Sequence, residues 1–170
     1  MIYFNRGLPA SELCFETLRH TYFFHMGKGI PTVRGDGVYQ KALDFGIEKL
    51  NNGEWLHFFA EGKINMTREF SRFKWGIGRA IAECNKFPIV LPFWHQGMDD
   101  ILPNRAPYIP RIGNKVTIVF GEPIDLKEIL QGMKKRNLCP VVVRKKLTDI
   151  IEEEMKILKT QAETLHDSLL

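Results

Sequence analysis

Short apolar runs that stop at glycine-bearing polar turns constrain this chain more than any other feature of its sequence. Ile30-Pro31-Thr32-Val33-Arg34 stops at Gly35-Asp36-Gly37, and Trp55-Leu56-His57-Phe58-Phe59 at Ala60-Glu61-Gly62-Lys63. Lys115-Val116-Thr117-Ile118-Val119-Phe120 stops at Gly121, while Pro88-Ile89-Val90-Leu91-Pro92-Phe93 enters a Pro-rich aromatic loop that runs to Arg111. Runs this short and this rich in β-branched and aromatic residues suit buried strands better than helices. Between them lie stripes of helical period. Phe15, Leu18, Tyr22 and Met26 predict a first helix with Pro9 and Ser11 as start and Gly27 or Gly29 as stop; Val38, Ala42, Phe45 and Lys49 or Leu50 predict a second, closed by Asn51-Asn52-Gly53. Phe70, Phe73, Ile77, Ile81 and Cys84 predict a third, in which Gly76 and Gly78 allow close backbone packing. Leu147, Ile151, Glu154, Leu158, Ala162, Leu165 and Leu169 carry a nearly heptad stripe to the end, with His166 on its surface. The order α, β, α, β, α, β, β, α, α predicts an α/β fold: a mainly parallel central sheet flanked by helices.

A chain of 170 residues buries roughly 70% of its unfolded surface, enough for one domain with a real core. The expectation is a single domain over 1–170, with the sheet core at about 10–125 and C-terminal helices at about 126–170. Helices must cover a parallel sheet, so the last stripe is expected to pack on its own sheet, with self-association as the alternative. The longest apolar stretch, 87–94, contains two prolines, far short of the roughly 18 to 20 residues of a membrane-spanning helix. Cys14, Cys84 and Cys139 are widely spaced; neither a disulfide framework nor a metal site is indicated. A net charge of +4 favours anionic partners, phospholipid headgroups and nucleic acid alike. No nucleic-acid-binding fold accompanies the basic aromatic stretch 68–79, so nucleic acid is not expected.

Ligands of open α/β sheets sit beyond the carboxyl ends of strands, so the three richest strand ends matter most. Arg34 beside Gly35 suits a bidentate grip on phosphate oxygens, or is an ordinary turn with a solvated guanidinium. In Glu61-Gly62-Lys63 the carboxylate suits a substrate hydroxyl, the Gly62 amide a close approach to phosphate, and Lys63 its neutralisation; the tripeptide is also a common turn. After Pro92-Phe93-Trp94, His95 stands near Asp99 and Asp100. His95 and Asp100 are five apart, a spacing that only a loop, not a helix, brings to one face.

These three ends, in this order, resemble the later sequence blocks of the glycerolipid acyltransferase superfamily, which map onto Arg34-Gly35, Glu61-Gly62-Lys63 and Pro92. Stretches 37–41, 61–66, 72–79, 94–100 and 158–163 are similar to the cardiolipin-remodelling transacylases within it. The resemblance implies transfer of acyl chains between phospholipids and lysophospholipids, phosphatidylcholine and monolysocardiolipin among them, with no cofactor and no coenzyme A. It implies peripheral or interfacial attachment to mitochondrial membranes facing the intermembrane space. In that mode Phe70, Phe73, Trp75, Phe93, Trp94 and Tyr108, interspersed with Arg68, Arg72, Lys74 and Arg79, would form an aromatic and cationic lipid face, with the core as the alternative place for several of these aromatics. By the same resemblance Arg34 and Lys63 bind lipid phosphate, Glu61 and Gly62 shape the glycerol site, and Pro92 fixes a strand.

Two departures stand out. The family's catalytic His-x-x-x-x-Asp block lies upstream of its Arg-Gly block, but His20 is followed five residues later by His25, and His25 by Ile30. The sequence therefore reads as an N-terminally shortened acyltransferase whose catalytic residues are unknown. His95 and Asp100 are a substitute pair, or a structural or substrate-lining one; without a general base the alternative is an inactive lipid-binding form. Second, Ala60 stands where the family commonly has proline, which loosens the turn before Glu61.

Overall fold

A computed structural model describes residues 5–67 and 69–168; Arg68, Leu169, Leu170 and the first four residues lie outside it. It groups into two units, Met1–Pro88 with Leu126–Asp149, and Ile89–Asp125 with Ile150–Leu170.

In the first unit β1 (Asn5–Gly7) pairs in parallel with β2 (Trp55–His57), Arg6 opposite Leu56. The expected strand at 30–34 contributes a parallel ladder of its own. Ile30 N–H donates to the Gly7 carbonyl, Thr32 N–H to that of Pro9, and Ser11 N–H to that of Thr32, each at 2.9 Å. Pro31 has no N–H, which limits this segment to the edge. The expected first helix divides into α1 (Ser11–Cys14) and α2 (Leu18–Met26). The break falls at Thr17, whose hydroxyl caps α2 by accepting from the His20 N–H at 3.2 Å. The stripe Leu18, Tyr22 and Met26 is exposed rather than buried.

Helix α3 (Lys41–Asn51) buries Ala42, Leu43, Gly46 and Ile47. A Cβ at Gly46 would come 2.9 Å from Leu56 Cδ2, so glycine lets β2 lie against this helix. Helix α4 (Gly76–Glu83) starts later than the periodicity of 70–84 predicts. The Lys74 N–H donates to the Ala60 carbonyl at 2.7 Å instead of to a carbonyl one turn back, and Phe70 and Phe73 stack ahead of the helix at 5.3 Å. Ile47, Ala80 and Cys84 form a buried cluster joined by Leu50 and Phe58. Burial first, then Glu83, pushes the Cys84 thiol up to about 11. Helix α6 (Lys127–Lys135) adds buried Leu130 and Met133, and the start of α7 (Pro140–Ser168) adds Val143, Arg144, Leu147 and Thr148.

In the second unit β3 (Phe93–Gln96) runs antiparallel to β4 (Thr117–Phe120), continued by a bridge between Val90 and Ile124. Pro88 and Pro92 supply no ladder donors, so the expected strand at 88–93 shrinks to that bridge and pairing begins at Phe93. Helix α5 (Met98–Ile101) follows β3. From α7 this unit buries Ile151, Leu158 and Ala162; Glu154 and Leu165 of the expected stripe are exposed. His166, expected at the surface, is buried, its Nδ1 2.9 Å from the Thr117 hydroxyl.

The described strands form two short pairs, one parallel and one antiparallel. Proline in two of the four expected runs is the physical reason those two runs shorten.

Gly78 shows what the glycines of α4 are for. A Cβ there would overlap the Arg144 carbonyl oxygen and come 2.6 Å from Thr148 Oγ1. Gly78→Ala is expected to destabilise the protein by about 2–3 kcal/mol through overpacking. Gly132→Ala, in α6 with nothing within 4 Å of the added carbon, is expected to stabilise it by about 0.5–1 kcal/mol. Denaturant unfolding of the two variants checks both signs.

Candidate functional site

The polar turn after the first apolar run is a closed loop. Gln40, buried just ahead of α3, accepts from the Val33 N–H at 3.0 Å through Oε1. Its Nε2 donates to the Val33 carbonyl at 3.3 Å and to the Gly37 carbonyl at 2.9 Å. One side-chain amide thereby satisfies backbone groups that neither strand nor helix takes up. Gly35 and Gly37 have φ of +84° and +74°, a region that favours glycine. Arg34 stands exposed on this loop, paired with Glu12 at 3.1 Å, both near half-exposed. Burial raises the nearby Cys14 thiol, with Arg34 pulling it down and Glu12 pushing it up. A surface pair of this kind contributes at most about 1 kcal/mol, and an anion that grips a guanidinium bidentately displaces Glu12 readily.

Two buried arginines hold the far side of the loop. Arg79 of α4 donates to the Val38 carbonyl at 2.7 Å, to Asp44 at 2.5 Å and to Glu83 at 2.9 Å. Burial works against its charge, but Asp44 and Glu83 outweigh that and raise its pKa above that of ordinary arginine. The exposed Tyr39 ring lies under both guanidiniums, 4.7 Å from Arg79 and 4.9 Å from Arg144 of α7. Arg144 also donates to the Tyr39 hydroxyl.

The second turn follows β2. Gly62, at φ +69°, donates to the Phe59 carbonyl at 2.9 Å, and the Lys74 side chain lies against it. With Ala60 in place of proline, the Lys74 amide on the Ala60 carbonyl does the holding. Glu61 accepts from Asn65 Nδ2 at 2.9 Å. Asn65 also donates to the Glu69 carbonyl at 2.6 Å and accepts from the Thr67 amide and hydroxyl. Lys63 is exposed.

The remaining candidates belong to the second unit. Pro92 is buried and its carbonyl accepts from the Gly121 N–H at 3.0 Å. His95 is exposed on β3 opposite Ile118, and Asp100 is exposed on α5, with Gly97 at φ +88° between strand and helix. The Asp100 amide donates to the Gly97 carbonyl at 3.3 Å.

The family model described as Acyltransferase matches residues 9–96, which include Arg34, Gly35, Glu61, Gly62, Lys63, Pro92 and His95. The chain belongs to the acyltransferase family. It is 47% identical over 160 residues to "Tafazzin" of Drosophila melanogaster, covering 94% of this chain and 42% of that protein. It is 39% identical over 127 residues to "Taffazin" of Dictyostelium discoideum, covering 72% of this chain and 45% of the relative. With "N-acylphosphatidylethanolamine synthase" of Arabidopsis thaliana it shares 37% identity over 124 residues, 69% of this chain and 44% of that protein. The chain thus spans less than half the length of these relatives.

The acyltransferase match covers the turns together with Gln40 and Asn65, and ends before Arg144. Gln40, Asn65 and Arg144 carry the local geometry, and sequence reasoning assigned none of them a role. A cation on the buried face that Val143, Leu147 and Ile151 share was the available signal for Arg144. Two members of the expected lipid face, Phe73 and Arg79, are buried instead; Arg68 lies outside the described residues. Gln40→Ala removes three loop hydrogen bonds and is expected to cost about 1–3 kcal/mol locally. Hydrogen exchange at the Val33 amide should then speed up about 10- to 100-fold while the interior amides of α3 stay protected.

Proposed function

We propose that this chain handles the phospholipid in a transacylase reaction, with phosphatidylcholine and other phospholipids as donors and a lysophospholipid, monolysocardiolipin in particular, as acceptor. The observation that carries this reading is the Arg34 loop, closed by Gln40, with its guanidinium held among the described residues by a weak surface pair to Glu12. Arg34 and Lys63 hold lipid phosphate, Glu61 and Gly62 shape the glycerol site, and Pro92 fixes its strand. In the reaction the acceptor hydroxyl attacks the donor's acyl carbonyl, its proton passes to a general base, and the donor's glycerol oxygen leaves with a proton returned to it. That base is unassigned in this chain; His95 with Asp100 is the substitute its spacing offers. No metal and no coenzyme A enter these steps.

The parallel pairing of 5–7 with 55–57 and of 7–10 with 30–32 supports reading this region as part of a mainly parallel, helix-flanked sheet in one acyltransferase-like domain over 1–170. The membrane is mitochondrial, facing the intermembrane space, and attachment is peripheral or monotopic. Among the described residues no helix is long and apolar enough to cross a bilayer. Self-association through the C-terminal helix is the alternative to that helix packing on its own sheet.

The test is transfer of a labelled acyl chain from phosphatidylcholine to monolysocardiolipin in liposomes. Arg34→Ala and Glu61→Ala should each lower turnover by about 100-fold or more, the scale expected when a positioning or charge-stabilising contact is lost. Full activity in both variants removes these sites. Liposome binding without turnover by the unaltered chain favours the second reading, a lipid-binding form. Turnover that vanishes in His95→Ala identifies the base.

A further inference from the structure

The two arginines behind Tyr39 are not equivalent. Arg79 and Arg144 are both only 6% exposed, and Arg79 is neutralised by Asp44 and Glu83. Arg144 has no carboxylate partner among the described residues, and its Nε makes no hydrogen bond at all. A buried guanidinium without a counter-charge is costly, and such a group persists where it serves something other than packing. Its contacts are the hydroxyl and ring of Tyr39, a residue 64% exposed.

That arrangement fixes what the phenol can do. The guanidinium donates into the phenol oxygen, which leaves the Tyr39 O–H free to donate outward and polarises it as a donor. An uncompensated positive charge lies directly behind it, so the preferred acceptor is an anion. Tyr39 and Arg34 are the residues just inside the two ends of the loop that Gln40 closes. Chain geometry keeps their Cα atoms within about 18 Å of each other.

We propose that the Tyr39 hydroxyl is a phosphate-binding group that donates to a phosphate oxygen of the ligand at this loop, with Arg144 as its positioning residue. The inference rests on the reading of the Arg34 loop as a phosphate site and adds a second, neutral donor to it. The phosphate belongs to a lysophospholipid headgroup or is free, and the two sources are separated by the test.

The protein is labelled with 13Cζ-tyrosine and titrated with inorganic phosphate, with glycerophosphocholine, and with short-chain lysophosphatidylcholine below its micelle concentration. Wild-type protein should show a saturable shift of the Tyr39 signal with the lysolipid. Tyr39→Phe, which keeps the ring under both guanidiniums, should bind it about tenfold more weakly or worse, as expected for losing a hydrogen bond to a charged group. Arg144→Met should weaken binding comparably while leaving the unfolding midpoint unchanged or raised, because it removes a buried charge. A structural role for Arg144 would lower the midpoint and leave the affinity alone. If Arg144→Met does not fold, Tyr39→Phe decides. Lysolipid binding of unchanged affinity in Tyr39→Phe overturns the proposal and leaves the role of Arg34 standing. Tyr39-dependent binding of inorganic phosphate without lysolipid binding supports the anion site and counts against the lipid reading. No binding of any of the three probes overturns the proposal.

Discussion

The close approach of α4 and α7 at Gly78 is the constraint on which the candidate site depends. Because residue 78 lacks a side chain, its Cα faces the Arg144 carbonyl and the Thr148 hydroxyl directly. The next residue along α4 is Arg79, and the α7 residue at the contact is Arg144. One backbone contact therefore aims two guanidiniums at one phenol. From Tyr39 the order passes to the Val38 carbonyl, to the Gln40 amide and to the glycine turn that presents Arg34. A side chain at position 78 would act on the Arg34 loop without touching it.

The two turns of the first unit use the same device with different residues. In each, a polar amide side chain replaces the hydrogen bonds that a strand or helix would have supplied: Gln40 for 33–37, Asn65 for 61–69. Each leaves a cation, Arg34 or Lys63, in solvent rather than in a buried pair. Exposed charges keep most of their hydration and remain available to a ligand, whereas Arg79, sealed between Asp44 and Glu83, is fixed as a structural strut.

The elements legible in the sequence are those whose signal is local. Helix α3 lies where its stripe predicts and stops near Asn51-Asn52-Gly53, though it begins after Val38 and buries Leu43, Gly46 and Ile47 rather than Phe45; the polar turns after 30–34 and 55–59 lie where glycine punctuates the apolar runs. Less legible was anything that depends on a distant partner. Phe70 and Phe73 continue the period of α4, yet the Lys74 amide is taken by Ala60, a competition no periodicity reveals. Arg79 reads as one more cation of a basic aromatic stretch until Asp44, thirty-five residues away in sequence, neutralises it. His166 looks like a surface residue near the end of a long helix, but Thr117 gives it a partner that lets it bury. The expected strands come out shorter for a simpler reason: Pro31, Pro88 and Pro92 fall inside runs whose composition otherwise favours strands.

The central claim is that the loop 33–40, together with the turn 61–63, receives the phosphate of a lipid. Backbone amide mapping by NMR with short-chain lysophosphatidylcholine tests it most directly, because it reports where the ligand sits whether or not turnover occurs. The account predicts saturable shifts clustered at 34–39 and 61–63, lost in Arg34→Ala. Shifts confined to other segments, or unchanged in Arg34→Ala, would contradict it.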